Sequence, residues 1–227
     1  MKIGILQTGT SPDGMVGEFG SYGDLFKRLL ADRGFEFTVY DVEHMEFPPG
    51  PEAADGWLIT GSRHGAYEDH PFIAPLEALI RDIRKAGRPL VGICFGHQIV
   101  AQALGGTVEQ FEGGWSVGPV DYDFGDETIR LNAWHRDQVT RPPEEAEIIA
   151  STPFCPYAGL RYGDDILTVQ PHPEMTPAFL EALAEERGRG LVPDDRLEAA
   201  LSAPPVDDGP ARFADRIARF LRARVPA

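Results

Sequence analysis

Cysteine is scarce: Cys94 and Cys155 are the only two in 227 residues. That is too few for a disulfide framework, so burial must hold the fold, and a reducing compartment is expected. Cations are short as well, with 21 Lys and Arg against 36 Asp and Glu and a formal net charge of -15. A chain so acidic lacks the basic footprint that neutralises phosphates, which argues against nucleic acid as a partner. The acidity itself speaks to a soluble, self-repelling surface and identifies no substrate. No apolar run approaches the roughly 20 residues of a membrane span. Met1-Lys2-Ile3-Gly4-Ile5-Leu6 opens directly as a strand, without the basic stretch, apolar run and small-residue cleavage site of an export signal. These absences predict a cytoplasmic protein that engages no membrane. Internal repeats are missing too.

What is present is ordinary globular composition, 42% hydrophobic and 25% charged, with enough length to bury one full core. Short apolar runs alternate with helical patterns through the first half, the signature of an α/β fold whose parallel sheet is covered on both faces. Strands are read at Lys2 to Gln7, Phe35 to Val42, Trp57 to Thr60 and Pro89 to Ile93. Helices are read at Gly23 to Asp32, with Gly34 as its stop signal, at Pro71 to Ala86, and from Gly96 through Ala103. From Thr107 to Ile149 the text turns to alternating, turn-punctuated segments, expected as antiparallel strands or an inserted hairpin. Tyr157 to Arg161 and Ile166 to Gln170 flank Gly163-Asp164-Asp165 as a hairpin pair. Past Arg187 the chain is rich in Gly, Pro and Asp, then closes with a helix over Arg212 to Arg224. Its stripe of Phe213, Ile217, Phe220 and Leu221 predicts docking on the same domain, with a contact between copies as the alternative.

Cys94 stands in Gly92-Ile93-Cys94-Phe95-Gly96, where a strand runs into a helix. A nucleophile at such a turn needs small neighbours two positions away, so that strand and helix can approach, and Gly92 and Gly96 meet that need. The arrangement parallels the Gly-x-Ser-x-Gly elbow, in which the amide after the nucleophile forms half of an oxyanion hole. Here that residue is Phe95, and the positive end of the helix favours an anionic sulfur. Gly61, in Thr60-Gly61-Ser62 after the neighbouring strand, is the candidate for the second half, since it has no side chain to block a ligand. A thiolate also needs a base, and the base a third group to orient it. His44, His64 and His70 lie in polar loops, and His97 lies inside a helix. His172 differs: in Gln170-Pro171-His172-Pro173-Glu174 two prolines force extended backbone, so His172 and Glu174, two apart, can converge. Trp134-His135-Arg136-Asp137 is a further polar cluster, suited to holding substrate. Cys94 and His97 as metal ligands lack two further ligands at short spacing, so no metal is expected.

Gly92-Ile93-Cys94-Phe95-Gly96-His97-Gln98, taken with Pro171-His172-Pro173-Glu174, resembles a class I, triad-type glutamine amidotransferase domain. The resemblance spans Lys2 to Glu186 and implies two regions, a domain at 1–186 and an extension with a docking helix at 187–227. It also implies a flavodoxin-like three-layer sandwich, with a mostly parallel central sheet and a small antiparallel β segment. In chemistry it implies a Cys94-His172-Glu174 triad, oxyanion amides from Gly61 and Phe95, and a γ-glutamyl thioester, with no cofactor. Gln98 matches a position beside bound glutamine, and His135, Arg136 and Asp137 fall where the family holds its amino acid end. Synthetase-coupled members usually carry Gly-Gly-Pro in the oxyanion loop, where this chain has Thr60-Gly61-Ser62, and the 41 residues after Glu186 are not expected to form an ammonia-using domain. The chain is thus more similar to the guanylate-synthetase-like branch that includes γ-glutamyl peptidases. The expected activity is cysteine-dependent hydrolysis of a small-molecule γ-glutamyl amide, either glutamine or a γ-glutamyl peptide or amine. Alternatives are a glutaminase subunit delivering ammonia to a separate synthetase partner, and a non-catalytic metabolite sensor of the same fold.

Overall fold

The structure, a computed structural model, describes residues 1–223. Its centre is a seven-stranded sheet. In chain order the strands and helices that build it and cover it begin with β1 (Lys2–Gln7), α1 (Asp13–Phe19), α2 (Tyr22–Leu29), β2 (Glu36–Asp41), β3 (Gly56–Ile59), α3 (Ile73–Lys85), β4 (Leu90–Ile93) and α4 (Phe95–Ala103). They continue with β5 (Thr107–Gln110), β6 (Ser116–Asp123), β7 (Thr128–His135), β8 (Asp137–Arg141), β9 (Ala146–Ala150), β10 (Gly159–Tyr162) and β11 (Ile166–Val169). Three helices close the chain: α5 (Pro177–Leu183), α6 (Asp194–Ser202) and α7 (Gly209–Arg222).

The sheet order is β2-β1-β3-β4-β11-β10-β9. The first five of these are parallel, and β10 and β9 join antiparallel at one edge. Strands buried on both faces read as continuous apolar runs, and alternate residues go to opposite cores. Leu6, Trp57, Ile59 and Leu90 pack with α3 and α4 on one face. Ile3, Ile5, Leu58, Val91 and Ile93 pack on the other with α2, α7 and the β6–β7 ribbon. The result is the expected α/β sandwich, with two small antiparallel pairs, β5–β8 and β6–β7, where Thr107 to Ile149 was read as alternating text.

Several boundaries differ from the sequence reading for local reasons. The helix read from Gly23 to Asp32 begins at Tyr22, behind a capping box of Ser21 and Asp24, and ends at Leu29 before a short 3-10 turn. α1 and α6 carry too little periodic apolar text to be read, since only Met15 of the first and Leu197 and Ala200 of the second are buried. α7 starts before Arg212, with Pro210 in its first turn. Its Phe213, Ile217 and Leu221 enter the core shared with β1 and β3, so the stripe docks on its own chain. Arg224, the expected end of that helix, lies outside the described residues. No helix among the described residues is long and apolar enough to cross a membrane.

Candidate active site

Gly61, Cys94 and the Gln170-to-Glu174 segment follow β3, β4 and β11, three neighbouring parallel strands, so all three emerge at the same edge of the sheet. In open α/β sheets the carboxyl ends of the strands are where ligands bind. Between β4 and α4, Cys94 takes φ 53° and ψ -101°, a left-handed conformation that an L-residue adopts only under constraint. The constraint is visible in the glycines. A Cβ on Gly92 would stand 2.5 Å from the Gly96 carbonyl oxygen, and a Cβ on Gly96 would stand 2.5 Å from that of Ile59. Backbone hydrogen bonds lock the turn: Cys94 N–H donates to Val169 O at 2.9 Å and Gly96 N–H to Thr60 O at 3.2 Å.

The loop after β3 is pinned from beneath. Thr8 Oγ1 donates to the carbonyls of Thr60 and Gly61 at 3.1 and 3.0 Å, which fixes the peptide units around Gly61. The Cα of Gly61 faces His172 and Cys94, since an added Cβ would lie 3.0 Å from His172 Cε1 and 3.9 Å from Cys94 Cβ. Phe95 turns its side chain away into the core, against Phe72, so only its backbone is offered near the sulfur.

His172 is held by its backbone and by one side chain. Its N–H donates to Asn132 O on β7 at 2.8 Å, while Asn132 Nδ2 donates to the Met175 carbonyl at 2.8 Å. Asn132 therefore clamps both ends of the proline-flanked segment. His172 Nδ1 lies 2.6 Å from Glu174 Oε1, with both side chains only 4% exposed. The two side chains do converge, but not along the extended backbone expected: Pro173-Glu174 form a turn, with Met175 N–H donating to His172 O at 3.4 Å, that brings Glu174 back beside the imidazole. Nε2 of His172 is buried and closes no hydrogen bond of regular geometry among the described residues. Burial opposes protonation of this imidazole, but the charges of Cys94 and Glu174 and their hydrogen bonding outweigh it and hold the pKa well above the ordinary histidine value. The other thiol is inert by contrast: burial pushes Cys155 up to about 12.

A cavity of about 410 Å³ opens over these groups, lined by Gly61, Cys94, Gln98, His135, Arg136, Asp137, His172 and Glu174. Eight of the sequence-identified residues thus line one cavity, while Phe95, next to Cys94, is buried and does not line it. Gln98 does more than line it. Its Nε2 donates to Asp137 O at 2.9 Å and to Gln170 Oε1 at 3.1 Å, and Gln170 Nε2 reaches Cys94 Sγ at 3.5 Å. His135 Nδ1–H donates to Asp137 O at 3.2 Å, which leaves Nε2 as a buried acceptor with no partner among the described residues. Burial and the neighbouring His172 drive His135 down to about 3, so it is neutral. Arg136 Nε is likewise buried and unpartnered among the described residues. Two groups of metal-type ligands occur among the described residues, His64-Glu68-His70 and Asp41-Glu43-His44, and neither includes Cys94.

Sequence reasoning missed Gln170, Asn132, Tyr22, Trp115 and Arg187. The first adjoins the proline run and could have been suspected from it. The others come to the site from distant segments and carry no local signal. Tyr22 is pushed up to about 12 by burial, with the Arg187 charge opposing and those of Cys94 and Glu174 reinforcing, so its phenol remains protonated.

Residues 15–182 match the family described as glutamine amidotransferase class-I. Among individual proteins, the chain is 30% identical to γ-glutamyl peptidase 2 of Arabidopsis thaliana, over 80% of this chain and 79% of that protein. It is 27% identical to γ-glutamyl peptidase 4 of the same plant, over 92% and 90%. With the glutamine-hydrolysing GMP synthase of Aeropyrum pernix it shares 37% identity over 73% of this chain, but only 33% of that protein is covered. A crystal structure of a glutamine amidotransferase from Thermotoga maritima superposes with a TM-score of 0.73 at 21% identity, covering 98% of this chain and 95% of the other. Fold and sequence agree, and the chain belongs to the class I glutamine amidotransferase family.

Proposed function

We propose that the protein hydrolyses a γ-glutamyl amide through a thioester on Cys94. The observation that carries this reading is the 2.6 Å contact of His172 Nδ1 with Glu174, both buried beside Cys94. His172, oriented by Glu174, takes the Cys94 proton, which gives a thiolate beside an imidazolium. The sulfur attacks the γ-carbonyl carbon, forming a C–S bond, and the resulting oxyanion is met by the amides of Gly61 and Phe95. Collapse breaks the C–N bond while His172 gives its proton to the leaving nitrogen. Water then adds to the thioester as His172 takes its proton, and loss of the thiolate releases glutamate. Arg136 pairs with the α-carboxylate of the γ-glutamyl group. The Nε2 of His135 and the Asp137 carboxylate take its α-ammonium, and Gln98 braces that wall through Asp137 and Gln170.

The test is direct. Wild type and Cys94→Ala are incubated with glutamine and a series of γ-glutamyl peptides and amines, and glutamate is read by mass spectrometry. A chloroketone analogue of glutamine probes for a Cys94 adduct. Wild type releases glutamate and forms the adduct, and the variant does neither. Full turnover by pure Cys94→Ala protein sinks the mechanism, and absence of both turnover and adduct in wild type favours a sensor.

A second reading is delivery of ammonia to a separate synthetase. The match to one third of a GMP synthase favours it. It predicts that glutamine turnover rises only when a second protein is added.

A further inference from the structure

Arg187 belongs to a one-turn π segment, Ala184–Gly188, that follows α5 just past the 15–182 stretch shared with the family. Single π turns inside helices are rare and concentrate at functional sites. The side chain is half-buried and lines the same cavity as Cys94. It makes no ion pair or hydrogen bond with any described residue. Nearby arginines are partnered: Arg189 binds Glu185 at 2.6 Å, and Arg196 donates to the Trp115 carbonyl. In a chain with 36 acidic residues, a half-buried guanidinium left without a carboxylate is a vacant anion-binding group.

The turn that carries it is fixed by packing. A Cβ on Gly188 would stand 2.9 Å from Leu197 Cδ2 and 3.1 Å from Trp134 Cη2, so the backbone lies directly on the indole. Trp134 and Trp115 have ring centroids 6.2 Å apart, and Ala184, Val192 and Leu197 pack with them. Both indoles line the cavity, and Leu191, 55% exposed, stands at its mouth. Tyr22, Cys94, Glu174 and Arg187 all line this one cavity. A cavity of about 410 Å³ falls in the ~300–1,000 Å³ range of sites for sizeable organic ligands. A leaving ammonia has no use for a wall of two indoles and a leucine.

We propose that Arg187 is a specificity-determining residue that binds a carboxylate on the leaving group, while Trp115, Trp134 and Leu191 take that group's apolar side chain. The substrate class is then a γ-glutamyl amino acid with a large apolar or aromatic residue after the γ-linkage. Hydrolysis consumes one water and yields glutamate and the free amino acid. This inference rests on the γ-glutamyl hydrolase reading and refines it at the leaving-group end.

The experiment compares kcat/KM of wild type and Arg187→Met on three substrates. They are γ-glutamyl-phenylalanine, γ-glutamyl-phenethylamide, which keeps the ring but lacks the carboxylate, and glutamine. Wild type prefers γ-glutamyl-phenylalanine over the phenethylamide by tenfold or more, and Arg187→Met erases at least tenfold of that ratio, with Arg187→Lys recovering part. Trp115→Ala lowers both aromatic substrates relative to glutamine. An unchanged ratio in Arg187→Met, equal losses on all three substrates, or a wild type that turns over glutamine alone overturns the inference while leaving the hydrolase intact. Failure of the hydrolase reading looks different: wild type then turns over none of the three, or Cys94→Ala remains active.

Discussion

His97 follows Cys94 by three residues but faces the core, where Nδ1 lies 2.8 Å from Thr168 Oγ1 on β11. Burial drives its pKa from 6.5 to about 3, with a backbone hydrogen bond at Tyr157 opposing. The native protein therefore keeps His97 neutral at pH values where the unfolded chain takes a proton onto it. When the unfolded state binds more protons, stability rises with pH, so acidification below about 6.5 destabilises the fold through this residue. One proton corresponds to about 1.4 kcal/mol per pH unit, so His97 alone removes roughly 2 kcal/mol between pH 6.5 and 5.0. His135, also lowered to about 3, adds a loss of the same sign and size. His172 behaves oppositely. Its folded pKa is raised, so its contribution is fully present below the unfolded value and is lost only as pH rises through the folded one. It adds no slope in the acid window. The assay is urea denaturation at pH 6.5 and 5.0 for wild type and His97→Asn, whose carboxamide can keep the Thr168 contact without titrating. Acidification costs the variant about 2 kcal/mol less than wild type, whatever its stability at pH 6.5. Equal losses would refute the claim that His97 is held neutral.

Two further outcomes follow from the site. Glu174→Gln removes the charge that favours protonated His172 but keeps its shape, so kcat falls by about 10²- to 10⁴-fold with little change in KM. A fall under threefold in steady-state turnover of the preferred substrate excludes Glu174 as the orienting group. Gly96→Ala forces a Cβ to within 2.5 Å of the Ile59 carbonyl oxygen, a backbone atom that cannot yield cheaply. It destabilises the protein by about 1 to 3 kcal/mol in urea unfolding, and an unaltered midpoint would mean that the elbow has slack.

What the sequence made legible was whatever obeys a short-range steric rule. Gly92 and Gly96 flank Cys94 because each faces a backbone oxygen 2.5 Å from where a Cβ would be, and such a demand shows at fixed spacing. Pro171 and Pro173 bracket His172 within five residues, and the turn at Pro173-Glu174, with Met175 N–H donating to His172 O at 3.4 Å, brings Glu174 back to its 2.6 Å contact with His172. Strands β1, β3 and β4 were readable because burial on both faces leaves uninterrupted apolar text, and the edge strand β2 because Phe37, Val39 and Tyr40 lie among polar residues that face solvent. Asn132, Tyr22 and Arg187 obey no such rule. Asn132 clamps the proline run from β7, Tyr22 arrives from the first turn of the capped helix α2, and Arg187 stands where it does because Gly188 fits against Trp134. Those contacts are made by the fold, between segments that carry no matching local pattern. On the proposed reading, the groups assigned to bond cleavage and the group assigned to leaving-group selection are encoded differently, the first in compact motifs and the second in packing of the segment after α5. Two chains with the same Gly-x-Cys-x-Gly elbow and Pro-His-Pro-Glu run can therefore differ in substrate with neither motif changed.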